Sequence, residues 1–121
     1  MQDILRDISQ YTKQFTISQV VTFFDRKGLL ITKSMIQNYV RDGLLPPPSN
    51  KRYYTHKHLA TLALITKLKT VFEMSDIKAA MSPYIDNEGV PLEIFRNLPE
   101  TLAIMAQSVG LKDEALRRLT V

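Results

Sequence analysis

Cysteine is absent from the 121 residues, which excludes a disulfide framework, a thiolate zinc site and a cysteine nucleophile. Histidine is limited to His56 and His58, two positions apart. On a helix they point to different faces and make a poor metal pair. Glycine is scarce, at four residues, and none of them forms a phosphate-cradling loop. No clustered acid–base pair and no nucleophile with a nearby histidine is present, so a non-enzymatic role without a cofactor is expected. No apolar run approaches the roughly 20 residues needed to cross a membrane, and the first residues are amphipathic rather than signal-like. The expectation is a soluble, cytoplasmic protein with no membrane partner.

Acidic residues are also missing where they matter most. Between Arg26 and His58 stand seven cations (Arg26, Lys27, Lys33, Arg41, Lys51, Arg52 and Lys57) against the single anion Asp42. From Ala79 onward the balance reverses, with four cations against six anions. A basic head on a mildly acidic tail is the charge layout of a nucleic-acid binder with a separate interaction segment. A solvated charged face is the plainer alternative.

What remains is rich in Leu, Ile, Ala and Met, 45% apolar in all, enough for one domain with a real core. The periodicity predicts mainly helix. Ile4, Leu5, Ile8 and Tyr11 fall at helical spacing in an N-terminal amphipathic helix. Thr16 and Gln19 have capping-box spacing and open a helix that Gly28 stops. Thr32 caps the next, over 32–42, with Gly43 as its C-terminal glycine. Pro46, Pro47 and Pro48 impose extended backbone, and Arg52, Tyr53 and Tyr54 suit the return strand of a small hairpin. Thr55 caps a helix apolar around most of its circumference, the expected centre of the core. Ser75 caps a short helix that Pro83 ends. Asp86 to Gly89 is turn-rich and marks the expected boundary between head and tail. In the tail, Leu92, Phe95 and Leu98 form one stripe, Leu102, Met105, Ala106 and Val109 another, and Leu111 to Leu119 a final helix.

On a helix over 32–42, Ile36, Tyr39 and Val40 gather on one side. Ser34, Gln37, Asn38 and Arg41 follow i, i+3, i+4, i+7 on the other, with Lys33 beside them. Gln and Asn match adenine bidentately, Arg and Lys match guanine, and Ser adapts to either. An ordinary solvated helix face would carry Glu among its Lys residues, and this stripe carries none. After the proline turn, Lys51 and Arg52 are adjacent donors for phosphate. Tyr53 and Tyr54 alternate faces, with Tyr54 expected outward and its hydroxyl toward phosphate. His56 and Lys57 open the next helix, whose free amides help hold anions.

Three stretches carry a resemblance: Phe15 to Val20, Asn38 to Pro48 with its Gly43-Leu44-Leu45-Pro46 core, and Lys51 to Leu59 with Arg52 and Tyr54 in an Arg-x-Tyr pattern. Together they look like the DNA-binding head of MerR-family regulators, and Leu68 to Lys78 resembles that family's continuation. The match covers roughly residues 15–82. It implies a winged helix-turn-helix with a β-hairpin wing over 46–54. It also implies base-reading roles for Lys33, Ser34 and Gln37, and backbone grips at Tyr39, Arg41, Arg52 and Tyr54. The chain departs from the pattern in a longer turn over 25–31 and a shorter wing. Asn38 replaces a Tyr, and Gln37 stands where Arg is usual. Pro83, Gly89, Pro91 and Pro99 also forbid the single long dimerisation helix of typical members.

The reading is thus a mainly α protein in three parts: an N-terminal helix over 1–14, a MerR-like winged head over 15–85, and a helical tail over 86–121. The expected function is a sequence-specific DNA-binding transcriptional regulator. Base reading falls to Lys33, Ser34, Gln37 and Asn38, and phosphate binding to Tyr39, Arg41, Lys51, Arg52, Tyr54, His56 and Lys57. The partner is double-stranded DNA, bound by a homodimer because one head offers few cationic contacts. The alternative is a protein-interaction module that kept the scaffold and lost DNA recognition, using the apolar stripe at Leu102 and Met105.

Overall fold

The computed structural model of the chain describes residues 14–70 and 72–108. The expected helix over 2–13 and the final helix from Leu111 lie outside the described residues.

Helix α1 (Ile17–Arg26) begins where its sequence says it should. The Thr16 Oγ1 accepts the Gln19 N–H at 3.3 Å, and the Gln19 side chain accepts the Thr16 N–H at 2.9 Å, which satisfies two otherwise orphan donors. Helix α2 (Lys33–Arg41) is capped by Thr32, whose Oγ1 accepts the Met35 N–H at 3.1 Å. It ends on Gly43 at φ +79°. That left-handed residue lets the Leu44 N–H reach the Tyr39 carbonyl at 2.9 Å and the Gly43 N–H reach Val40 at 3.2 Å, the paired closure of a Schellman motif. The same pattern of bonds, from Leu29 to Phe24 and from Gly28 to Asp25, closes α1. One face of each helix enters the core, through Val20 and Phe24 and through Ile36 and Tyr39. Each large apolar side chain buried this way contributes about 1.5–3 kcal/mol.

Helix α3 (His56–Leu68) is the centre of the molecule: nine of its thirteen residues are buried. An element wrapped on all sides has no amphipathic stripe to show, and its apolar residues run around the helix accordingly. Helix α4 (Met74–Met81) follows. Its N-cap is Glu73 rather than the expected Ser75, which is an exposed residue within the first turn. Short 3-10 turns at Ser82–Tyr84 and Leu92–Phe95 lead to α5 (Leu98–Ser108).

The segment 86–90, expected as a boundary, is fastened to α3. Asp86 Oδ1 accepts the N–H groups of Glu88 and Gly89 at 2.9 and 3.2 Å. The Val90 N–H donates to the Thr61 hydroxyl at 2.9 Å, and that hydroxyl donates to the Lys57 carbonyl at 2.7 Å. A Cβ on Gly89 would sit 2.2 Å from the Thr61 Oγ1 and 2.6 Å from the Lys57 carbonyl oxygen, so only glycine allows this approach. Beyond it Val90, Ile94, Leu102 and Met105 join the same buried cluster as α1 to α4. Leu102 and Met105 are each 1% exposed, so this stripe closes the core instead of facing a partner.

The expected winged helix-turn-helix with a β-hairpin wing is corrected. Among the described residues there is no strand, only two isolated antiparallel bridges, Ser49 with Tyr53 and Phe15 with Tyr54. The reason is local. Pro46, Pro47 and Pro48 present no N–H, so the outgoing arm cannot build a ladder. Ser49 is the first residue of that arm able to pair, and the chain turns immediately after it. Residues 46–54 therefore form a proline arm and a tight turn.

Candidate nucleic-acid interface

The capping and closing residues of α2 set which way its side chains point. Ile36 and Tyr39 are buried, Met35 and Val40 are half-buried, and Lys33, Ser34, Gln37, Asn38 and Arg41 are all exposed. These five form a continuous outward strip of hydrogen-bond donors and acceptors, with no carboxylate in the helix. Arg41 Nε lies 3.2 Å from Asp42 Oδ1 at the C-cap, with both side chains more than half exposed. A surface pair of this kind is weak and leaves the guanidinium available.

The turn after the proline arm is compact. The Pro48 carbonyl accepts the Lys51 N–H at 3.1 Å, and the Ser49 carbonyl accepts the N–H groups of Arg52 and Tyr53, both at 3.0 Å. Asn50 and Lys51 sit at φ 54° and 61°, the consecutive left-handed pair of a type I′ turn. Asn tolerates that conformation, but a lysine there costs roughly 1–2 kcal/mol. Lys51 and Arg52 are exposed, and the Arg52 guanidinium stands 5.7 Å from the centre of the Tyr53 ring.

Tyr54 faces inward, opposite to the expected orientation. It is 5% exposed and packs edge-on against the His58 ring at 5.3 Å, with burial raising the pKa of its hydroxyl. Tyr53 is the more exposed of the pair. Alternation placed one ring inside but could not choose which. Tyr39 is also largely buried, and its hydroxyl accepts a hydrogen bond from Lys69 Nζ at 3.1 Å. His56 is half-buried. Lys57 donates to the Asp86 carboxylate. That ammonium, together with the Glu88 and Gly89 N–H groups, holds the Asp86 pKa down at about 2, so Lys57 is already committed to a carboxylate.

Two cations escape a reading of the sequence alone. Lys69, the C-cap of α3, stands over the Tyr39 ring at 5.8 Å from its centre. Lys78 of α4 brings its Nζ within 3.0 Å of where a Cβ on Gly43 would lie. With Arg41 they surround the C-terminal end of α2. Lysines also favour the partial negative charge of a helix C-terminus, so their position has a stabilising reason of its own. No local pattern marks either residue, because α3 and α4 bring them back from far along the chain.

Among the described residues, no helix is long and apolar enough to cross a membrane, and no group of three His, Cys, Asp or Glu could hold a metal ion. No curated protein and no solved structure matches the chain. Residues 5–97 match the family described as Domain of unknown function (DUF1836), a span that includes α1 to α4, the proline arm and the loop that docks on α3. With a match over well beyond half its length, the chain belongs to the DUF1836 family.

Proposed function

We propose that this chain is a sequence-specific DNA-binding transcriptional regulator in which α2 lies in the major groove and the turn over 46–54 rests on phosphates. The observation that carries the reading is the exposed face of α2: Lys33, Ser34, Gln37, Asn38 and Arg41 project outward without one acidic neighbour in the helix. Such side chains discriminate base edges at about 1–3 kcal/mol per good bidentate contact. The resemblance to MerR-family heads at Gly43-Leu44-Leu45-Pro46 and at Arg52 and Tyr54 supports the same assignment. Among the phosphate-binding candidates, Arg41, Lys51 and Arg52 are exposed. Tyr39, Tyr54 and Lys57 instead hold the framework in place, and Lys69 joins the exposed cations from outside the motif. So few cationic contacts favour a homodimer on a two-fold site.

The test is a mobility-shift titration on DNA from the region upstream of the coding sequence, at two salt concentrations. Binding at low salt that weakens with Lys33→Ala and Gln37→Ala supports the reading. No binding at low salt overturns it.

A protein-interaction role is the second reading. Leu102 and Met105 are core residues, so that role falls to the exposed apolar side chains Leu30 and Ile104, at 80% and 57% exposure. It requires that Arg52→Glu leave function intact while Ile104→Asp abolishes it.

A further inference from the structure

His58 is completely buried, yet both of its ring nitrogens are engaged. Nδ1 accepts the Thr55 N–H at 3.0 Å, closing the start of α3. Nε2 lies 3.2 Å from the Pro47 carbonyl oxygen. An acceptor at Nδ1 and a donor at Nε2 define one neutral tautomer.

The imidazole sits where the two sides of the 48–53 turn converge. On the outgoing side, Pro46, Pro47 and Pro48 have no N–H with which to anchor themselves. The Pro47 carbonyl is held by His58, and the next carbonyl, of Pro48, opens the turn by accepting the Lys51 N–H. On the returning side, Tyr54 lays its ring edge-on against the same imidazole, while its backbone pairs with Phe15 through bonds of 2.7 and 2.8 Å. One side chain thus joins the proline arm, the return of the turn and the first residues of α3.

We propose that His58 is the positioning residue for the Asn50–Arg52 turn, and that its protonation breaks the Thr55 cap on the returning side of the turn and weakens the turn's hold on phosphate. The second half rests on the DNA-binding reading above. Protonation turns Nδ1 from an acceptor into a donor: the Thr55 N–H loses its partner, the new Nδ1–H has only the Thr55 hydroxyl, 3.2 Å away, to turn to, and the Nε2–H keeps the Pro47 carbonyl. The ionisable groups around the ring are the Tyr54 phenol from the turn, Asp86 and Glu88 from the loop after α4, and Lys57 and His56 on its own helix. The proline arm contributes carbonyl dipoles alone. Burial is the largest influence and lowers the His58 pKa, while the Pro47 and Pro46 carbonyls and the Glu88 and Asp86 carboxylates oppose it. The neutral tautomer therefore holds at neutral pH, and the Thr55 cap is lost in acid.

The test pairs wild type with His58→Gln. Glutamine at the third position of a helix can take the cap N–H without titrating, as Gln19 does for Thr16 in α1. In an NMR titration of the wild type, the amides of Asn50, Lys51 and Arg52 should move with the midpoint of the His58 ring. In His58→Gln they should stay flat. Turn amides that ignore the ring's titration overturn the proposal, and this arm needs only the wild-type chain. Binding to a mixed-sequence duplex at low salt is then compared at neutral pH and about one unit below the His58 midpoint found in the NMR titration. The wild type should lose about ten-fold more affinity than His58→Gln, a change of about one pKa unit in coupling. Parallel pH profiles overturn the proposed weakening. Amides that follow His58 in a protein that binds DNA at neither pH would instead sink the DNA-binding reading and leave the positioning role standing.

Discussion

Lys69 reaches back 30 positions to donate a hydrogen bond to the Tyr39 hydroxyl at 3.1 Å, joining the end of the buried central helix to the last turn of α2. The bond turns a largely buried tyrosine into the base of an exposed cation. Replacing Lys69 by Met keeps an apolar stem over the ring and removes the charge. Stability should fall by about 1 kcal/mol, the loss of one hydrogen bond to a part-buried hydroxyl. In the proposed DNA binding, the log–log salt slope should fall by about 0.9, one phosphate contact. An unchanged slope in a salt titration would remove Lys69 from the interface.

Gly89 and Gly28 separate crowding from backbone strain. At Gly28 a Cβ meets nothing within 4 Å, so Gly28→Ala should cost about 1–2 kcal/mol, the penalty of a left-handed alanine. At Gly89 the Cβ would collide with the Thr61 hydroxyl and the Lys57 backbone. Because backbone cannot yield as a side chain does, Gly89→Ala should cost about 3 kcal/mol or more and displace the 86–90 loop. Urea unfolding of the two variants checks the order, and equal costs would show that the loop adjusts freely.

Lys51 is strained where a glycine would not be. Lys51→Gly relieves about 1–2 kcal/mol at φ 61° and gives back about 0.4–1 kcal/mol through a freer unfolded chain. The variant should be as stable as the wild type or up to about 1.6 kcal/mol more so. Its affinity in the proposed DNA binding should nevertheless fall, with the salt slope reduced by about 0.9. Thermal melts and binding isotherms on the same sample test both halves. A tighter-binding Lys51→Gly would mean that the lysine serves neither purpose.

Asp86 gives the fold an acid limit. Its pKa is lowered from 3.8 to about 2, chiefly by the Lys57 ammonium. A depressed folded-state pKa means that the unfolded chain takes up the proton first as pH falls. The contribution is therefore fully present above pH 3.8 and is lost as pH drops toward about 2. Asp86→Asn should flatten the stability profile across that window without changing its slope at neutral pH. Chemical denaturation between pH 5 and about 2 decides it, and identical profiles would detach the Lys57–Asp86 pair from folding.

Much of the helical framework was legible because its signals are local. Thr16 and Thr32 cap through bonds to residues three positions on, Gly28 and Gly43 stop α1 and α2 through bonds spanning five or fewer, and the split of α2 into inner and outer faces needs only a turn of 3.6 residues. The absence of a β wing was equally local. Three prolines in a row deny a ladder its donors, whatever the strand propensity of the aromatic-basic run after them.

Tertiary packing decided the rest. Tyr53 and Tyr54 are equivalent by alternation, and only the buried imidazole of His58 determined that Tyr54 turns inward. Lys57 reads as a free cation until Asp86, 29 positions later, takes it. Leu102 and Met105 make a stripe that suits a partner surface as well as a core, and the docking of Gly89 on Thr61 carried them into the core. Sequence alone determined where α1 and α2 begin and end and which side chains α2 offers to solvent, because those follow from contacts within one or two turns. The company each side chain keeps depended on contacts about 30 residues apart, which no local pattern encodes and only close packing around α3 could settle.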